Sequence, residues 1–405
     1  MDLAFLPRLP LTLGGLALFG VILLAGLIGG RLVAGVGWLP KITGYILIGA
    51  VFGASGFDLL TPEMVAQGRV FVDIALGLIL FELGRHLDWP WARHERWLLL
   101  TGALECALSF LLPFFVLVYL GHPRLVSAAV AALGIATGPA VVLLVVKELG
   151  AEGQVTRRLL GLTALNNVVA IVTFTALWAF VHRAHQASAM MLAAHPIYLL
   201  AGSVLFGYAM HLLTITLAAW LGKHRGSQFI MLAGVVAFTV GAAEALQLSV
   251  PLTLLSLGIM SKNLDRRYRI LPLEFGSASQ IFYVILFVII GANLKLDQFG
   301  ALGWAFPALI VARLLGKTLA VFIFARPSRL TPLQAGMLSM GLLPMAAPAL
   351  AMSFAVANVY PEFGAKLTAM VVGVVAVLDL IGPIATQFAL KRVGEANPDK
   401  IAHRD

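Results

Sequence analysis

One feature recurs along the whole chain: uninterrupted apolar runs of about 20 residues, each long enough for a helix to cross roughly 30 Å of hydrocarbon. In lipid every backbone N–H and C=O must find a partner within the protein, which leaves helices and closed barrels as the spanning structures. Barrel strands would alternate apolar with polar over about 10 residues. Runs such as 98–120 and 158–181 do not alternate. Composition agrees, since 60% of the 405 residues are hydrophobic, 12% are charged and the mean hydropathy is +0.96. No water-soluble fold balances those values. The sequence reads as a single all-α polytopic membrane domain, 1–405.

Charged and Pro/Gly-rich breaks divide the runs into thirteen expected spans: 11–30, 42–57, 65–84, 98–120, 126–149, 158–181, 196–221, 228–246, 248–261, 275–296, 302–325, 332–357 and 365–390. The first flows into further apolar sequence and does not read as a cleavable signal peptide. The 28 Lys and Arg outnumber the 19 Asp and Glu, but they form short groups between runs, which is a topology signal rather than a nucleic-acid surface. With the N-terminus outside, inside segments hold most of them, including Arg31, Lys41, Arg85, Arg93, Arg96, Lys147, Arg157, Arg158, Lys223, Arg225, Lys262, Arg326, Arg329, Lys391, Arg392, Lys400 and Arg404. Outside segments hold Arg8, Arg69, Arg124, Arg183, Lys295 and Lys366. The bias predicts N-out, C-in and an odd number of spans.

The segments LGLILFELGRHLD (76–88) and LFVIIGANLKLD (286–297) are alike and end spans that run in opposite directions. This predicts inverted repeats, with spans three to six matching ten to thirteen. Two repeat-related spans carry breaks. GIATGPAVVLLVVKELG (134–150) has Gly138 and Pro139 after Thr137, and GMLSMGLLPMAAPALA (336–351) has Pro344 and Pro348. A proline inside a helix frees a carbonyl that in lipid needs protein, water or an ion. Matching breaks in two repeats point to a midplane binding site.

Five segments in register carry a resemblance: GYILIGAVFGASGF (44–57), the break at Thr137–Pro139, TALNNVVAI (163–171), IIGANLKLD (289–297) and ARLLGK (312–317). Together the chain resembles the membrane domain of the second branch of the cation/proton antiporter superfamily. The resemblance implies the sodium/proton antiporter fold, with crossed, unwound fifth and twelfth helices. It implies a transport core (98–181 and 302–390) moving against a dimerisation scaffold with a linker helix (1–97 and 196–300), followed by a cytoplasmic tail (391–405). It also implies a homodimer in a cell membrane, the bacterial inner membrane, exchanging Na+ or K+ for protons by alternating access.

Carried over by position, Asn166 and Asn167 stand where that family places an acidic pair, and an amide cannot titrate. Because Asp and Asn are nearly isosteric, Asn167→Asp is expected to preserve packing and to create or strengthen cation-dependent proton exchange. Arg313 and Lys317 match the family's basic positions and, four apart, share one helix face. Other acids must then be considered, since an ionisable group within a span is a functional hypothesis by default. Asp379 aligns by repeat with Asn166 and is the best placed. Glu105, in mid-span four, is expected to face Arg313 or Lys317. Either acid could instead be a fixed partner of those cations. Glu82, Asp73 and Glu244 read as structural residues of the scaffold.

The candidate ion site is therefore Thr137, Asn166, Asn167, Arg313, Lys317, Asp379 and Glu105, at breaks formed by Gly138, Pro139 and Pro344. The expected partners are monovalent cations, protons and the bilayer. An anion or small-solute carrier, or a non-transporting membrane sensor or partner subunit, remains open on the same fold. No Walker loop, dinucleotide fingerprint or nucleophile motif appears, so neither an enzyme nor a cofactor is expected. The histidines form no metal pattern. His182 and His185 read as outside loop residues, His86, His94 and His224 as inside ones, and His211 as packing within span seven. The lone Cys106 precludes an internal disulfide and reads as packing.

Overall fold

A computed structural model of the chain describes residues 15–37, 39–53, 55–57, 59–60, 68–184, 188–222, 224–265, 270, 277–294, 303–345 and 347–397. It is helical throughout the described secondary structure. The first helices are α1 (Gly15–Ala34), α2 (Lys41–Phe52), α3 (Arg69–Arg85), α4 (Trp89–His94) and α5 (Arg96–Tyr119). Next come α6 (Arg124–Gly134), α7 (Pro139–Glu148) and α8 (Gln154–Ala184). Then follow α9 (Ala189–Ile197), a π-helical turn (Tyr198–Gly202), α10 (Ser203–Leu221), α11 (Arg225–Ala245), α12 (Val250–Asn263) and α13 (Ser277–Ala292). The chain ends with α14 (Ala305–Ile323), α15 (Pro332–Gly341), α16 (Ala347–Val359) and α17 (Pro361–Arg392).

Every expected span carries one of these helices, and spans five and twelve are broken in two. Among the described residues, seven helical stretches are long and apolar enough to cross a membrane, Arg124–Glu148 being taken as one with its break. Shorter apolar helices run over Phe19–Ala34, Lys41–Phe52, Gln280–Ala292 and Pro348–Val359. Lys223, Lys295, Lys400, Arg404, Arg8, His185 and the end of the second repeat segment lie outside the described residues.

Local chemistry explains the helix ends at the breaks. Proline lacks an N–H and its fixed φ suits the first helical position, and Pro139 and Pro332 both stand there. The start of α15 adds a capping box: Thr331 Oγ1 accepts from the Gln334 amide at 3.2 Å, and Gln334 Oε1 accepts from the Thr331 amide at 3.0 Å. This arrangement corrects the expectation for Pro348. It lies in the first turn of α16 and starts that half-helix rather than interrupting one, and Pro344 alone sits in the unwound stretch.

The internal repeat is visible in the helix lengths. A 24-residue α5, a break between 11- and 10-residue halves and a 31-residue α8 are matched by a 19-residue α14, a break between 10- and 13-residue halves and a 32-residue α17. Helix α5 packs along α14, and α17 packs on α7, α15 and α16. On the other side α2 packs on α1 and α13, while α3 and α10 pack on α12. The α5–α14 approach is close enough that a Cβ at Gly316 would lie 2.9 Å from the Leu108 carbonyl. That contact brings the mid-helix polar residues of both helices against the breaks.

Candidate functional site

The two unwound stretches meet directly. The Gly138 amide donates to the Pro344 carbonyl at 3.0 Å, and a Cβ at position 138 would fall 2.6 Å from the Met345 oxygen. Only glycine fits that approach. Half-helices α6 and α15 end here, so their last carbonyls lack intrahelical partners, and each carries part of the negative end of a helix dipole.

Arg313 answers those carbonyls. Its Nε donates to Gly134 O at 2.7 Å, Nη1 to Leu343 O at 2.5 Å, and Nη2 to Ala136 O at 2.8 Å and Pro344 O at 3.0 Å. Two acceptors come from each broken helix, so one planar guanidinium pins both strands of the crossing. One turn along α14, Lys317 Nζ donates to Glu105 Oε1, to Thr137 Oγ1 at 3.1 Å and to Ile135 O at 3.3 Å. Both members of the Lys317–Glu105 ion pair are fully buried. Ser109 Oγ also donates to Glu105 Oε1, at 3.1 Å.

The two asparagines complete the lattice from α8. Asn166 Nδ2 donates to Thr137 Oγ1 at 3.0 Å, and the Cys106 thiol donates to Asn166 Oδ1 at 3.4 Å. Asn167 Nδ2 donates to two carbonyls, Thr137 O at 2.7 Å and Thr163 O at 2.8 Å. That geometry argues against the expectation that Asn167→Asp would be tolerated and gain exchange. A carboxylate has no proton to give, so it would lose both bonds and face two acceptor oxygens, whatever its size.

Asp379 stands apart. It is 3% exposed and within electrostatic reach of Arg313, yet it makes no hydrogen bond or ion pair with any described residue. It lines a small cavity with Gly138, Pro139 and Met345 of the crossing, walled on the far side by Leu76 of α3 and by Phe287 and Ile290 of α13. The two acids, ranked first and second from the sequence, differ in their surroundings: Glu105 is bonded to Lys317, and Asp379 faces an apolar wall.

A family model described as the transmembrane sodium/hydrogen exchanger matches residues 18–392. The chain belongs to the sodium/hydrogen exchanger family. Membership makes it a multi-pass membrane transporter of the cation/proton antiporter type; the branch expected from the motifs is a finer distinction than this match draws. The exchanger is also similar in fold to a structure of the sodium proton antiporter MjNhaP1 from Methanocaldococcus jannaschii at pH 8, with a TM-score of 0.66 and 15% identity, covering 94% of this chain and 96% of that one. An electron-microscopy structure of the same antiporter gives a TM-score of 0.66 and 16% identity over 98% and 100% of the two chains. No protein of curated function matches the chain in sequence.

Sequence reading missed three features of this exchanger. The Cys106 thiol is bonded as well as packed, which its apolar surroundings in sequence conceal. The wall formed by Leu76, Phe287 and Ile290 comes from spans that carry no break. His182, expected in an outside loop, is fully buried near the end of α8, because that helix continues past the hydropathy boundary at 181. His211, by contrast, is bonded to Ser261 Oγ at 3.2 Å within the packed interior.

Proposed function

We propose that the exchanger moves Na+ or K+ against protons by alternating access, with Asp379 holding the cation or the proton in turn. The observation that carries this reading is the isolation of Asp379. A buried carboxylate without a fixed partner must be either protonated or matched by a mobile cation, and those are the two states an exchange cycle alternates between. Thr137, Asn166, Asn167, Arg313, Lys317 and Glu105 then hold the crossed breaks in shape behind it. The apolar wall of Leu76, Phe287 and Ile290 blocks the far side of the site until the core (98–181 and 302–390) slides past the scaffold (1–97 and 196–300). Thirteen crossings with the N-terminus outside, a homodimer through the scaffold and a bacterial inner membrane complete the reading.

An anion carrier draws less support from the geometry. The bonds of Arg313 go to four carbonyls and those of Lys317 to Glu105, a carbonyl and a hydroxyl, so neither cation of the crossing is left to receive an anion. Purified protein in proteoliposomes tests the proposal: adding Na+, K+ or Li+ should drive proton movement. Silence to all three with flux driven by a small-anion gradient would install the anion reading, and silence to both would favour a sensor.

A further inference from the structure

Away from the ion site, three ring side chains form a hydrogen-bonded chain where the second half of the molecule returns to α8. His182 Nδ1 is 2.7 Å from the Tyr360 hydroxyl, and His182 Nε2 is 2.8 Å from His195 Nδ1. Trp178 packs beside all three, with ring centroids 5.3 Å from His182, 5.1 Å from His195 and 6.4 Å from Tyr360. His182 is buried completely, while His195 is half-buried and open to protons from its own surface.

The chain joins the end of the expected core to the residues that lead into the expected scaffold. His182 belongs to α8, and Tyr360 is the N-cap of α17; both helices build the core. His195 stands on α9, directly before expected span seven (196–221), which serves here as the linker, and beyond it the linker is tied to the scaffold instead. Tyr198 donates to Leu246 O at 2.7 Å, and the Ser249 amide donates to Ser203 Oγ at 2.9 Å. Pro196 lies between His195 and the bond at Tyr198, and the π-helical turn Tyr198–Gly202 lies between His195 and the bond at Ser203. Proline and π-turns are where helices bend. The linker is thus bonded to the core before its bend and to the scaffold after it.

We propose that His182 and His195 form a proton-operated latch, holding the core to the linker in this conformation and releasing it when both rings are protonated. The inference rests on the reading that the core moves. The chemistry follows from proton count. A neutral pair, or a pair sharing one added proton, has a tautomer that leaves one nitrogen to accept across the 2.8 Å contact and keeps the bond to Tyr360. With two added protons both facing nitrogens carry hydrogen, the bond is lost, and two cations face each other. Among the described residues, the other ionisable groups near the pair on the surrounding elements are Arg124 of α6, Arg183 of α8, Tyr198 of the π-turn, and Glu362 and Lys366 of α17. Arg124, Arg183, Glu362 and Lys366 are solvent-exposed, and none of the five is bonded to either imidazole.

Hydrogen–deuterium exchange of the full-length protein in nanodiscs, corrected for intrinsic rates, tests the latch between about pH 8 and pH 5, the range across which histidine changes charge. Amides of 189–202 should be protected at the upper pH and lose protection at the lower. His195→Asn keeps an acceptor that cannot titrate, so this segment should stay protected at both. His195→Leu should leave it unprotected at both. Equal wild-type protection at both pH values, or an undiminished pH response in His195→Asn, overturns the proposal. Because this readout needs no transport, flux silence with an intact pH response would contradict the exchange reading alone, and flux with pH-indifferent protection would contradict the latch alone.

Discussion

The two sides of the helix crossing are built on opposite principles. Behind it, Arg313, Lys317, Glu105, Thr137, Asn166 and Asn167 share one lattice in which each charge is bonded and the carbonyls of Gly134, Ile135, Ala136, Thr137, Leu343 and Pro344 all accept hydrogen bonds. On the seam side, Asp379 has none and looks onto Leu76, Phe287 and Ile290. A buried polar group that is answered fixes shape, whereas one left open is costly unless something mobile answers it. On the proposed reading, the first set is architecture and the second carries exchange.

The sharpest way to break this comparison is to remove the guanidinium. Arg313→Met would orphan four buried carbonyls at about 1–3 kcal/mol each, more than a membrane core can absorb, so monodisperse elution after detergent extraction should be lost. A well-folded Arg313→Met would mean that the breaks do not depend on it. Next in size, Lys317→Met strands Glu105 and should cost about 3–5 kcal/mol, with Glu105→Gln/Lys317→Met recovering most of the loss. Thermal melts of the two single variants and the double variant give the coupling, and additive losses would dissolve the pair. Asn167→Asp should cost about 1–3 kcal/mol per lost bond and gain no exchange activity, so a melt equal to wild type would show that the amide donates nothing. Smallest is Cys106→Ala, expected to shift stability by about 1 kcal/mol with flux unchanged.

Much of this architecture is written in the sequence. Apolar runs located every helix-bearing span, Pro139 and Pro344 marked the breaks, and the four-residue spacing of Arg313 and Lys317 put them on one face. Partner choice was less legible. That Glu105 meets Lys317 rather than Arg313 depends on depth along two packed helices, and the four acceptors of Arg313 are backbone atoms that every residue type supplies equally. The donor role of Asn167 was hidden for the same reason, so size alone made aspartate look harmless. The π-turn at Tyr198–Gly202 has no residue signature, and the His182–His195–Tyr360 chain joins positions far apart in the chain.

The most direct test compares Asp379→Asn with Glu105→Gln/Lys317→Met in one proteoliposome assay of cation-driven proton flux, with melting temperature as the control. Asp379→Asn strands no partner, so it should melt like wild type and carry no flux, while the double variant should keep flux at reduced stability. Flux retained by folded Asp379→Asn and lost in a folded double variant would contradict the account, moving exchange from the seam to the buried pair.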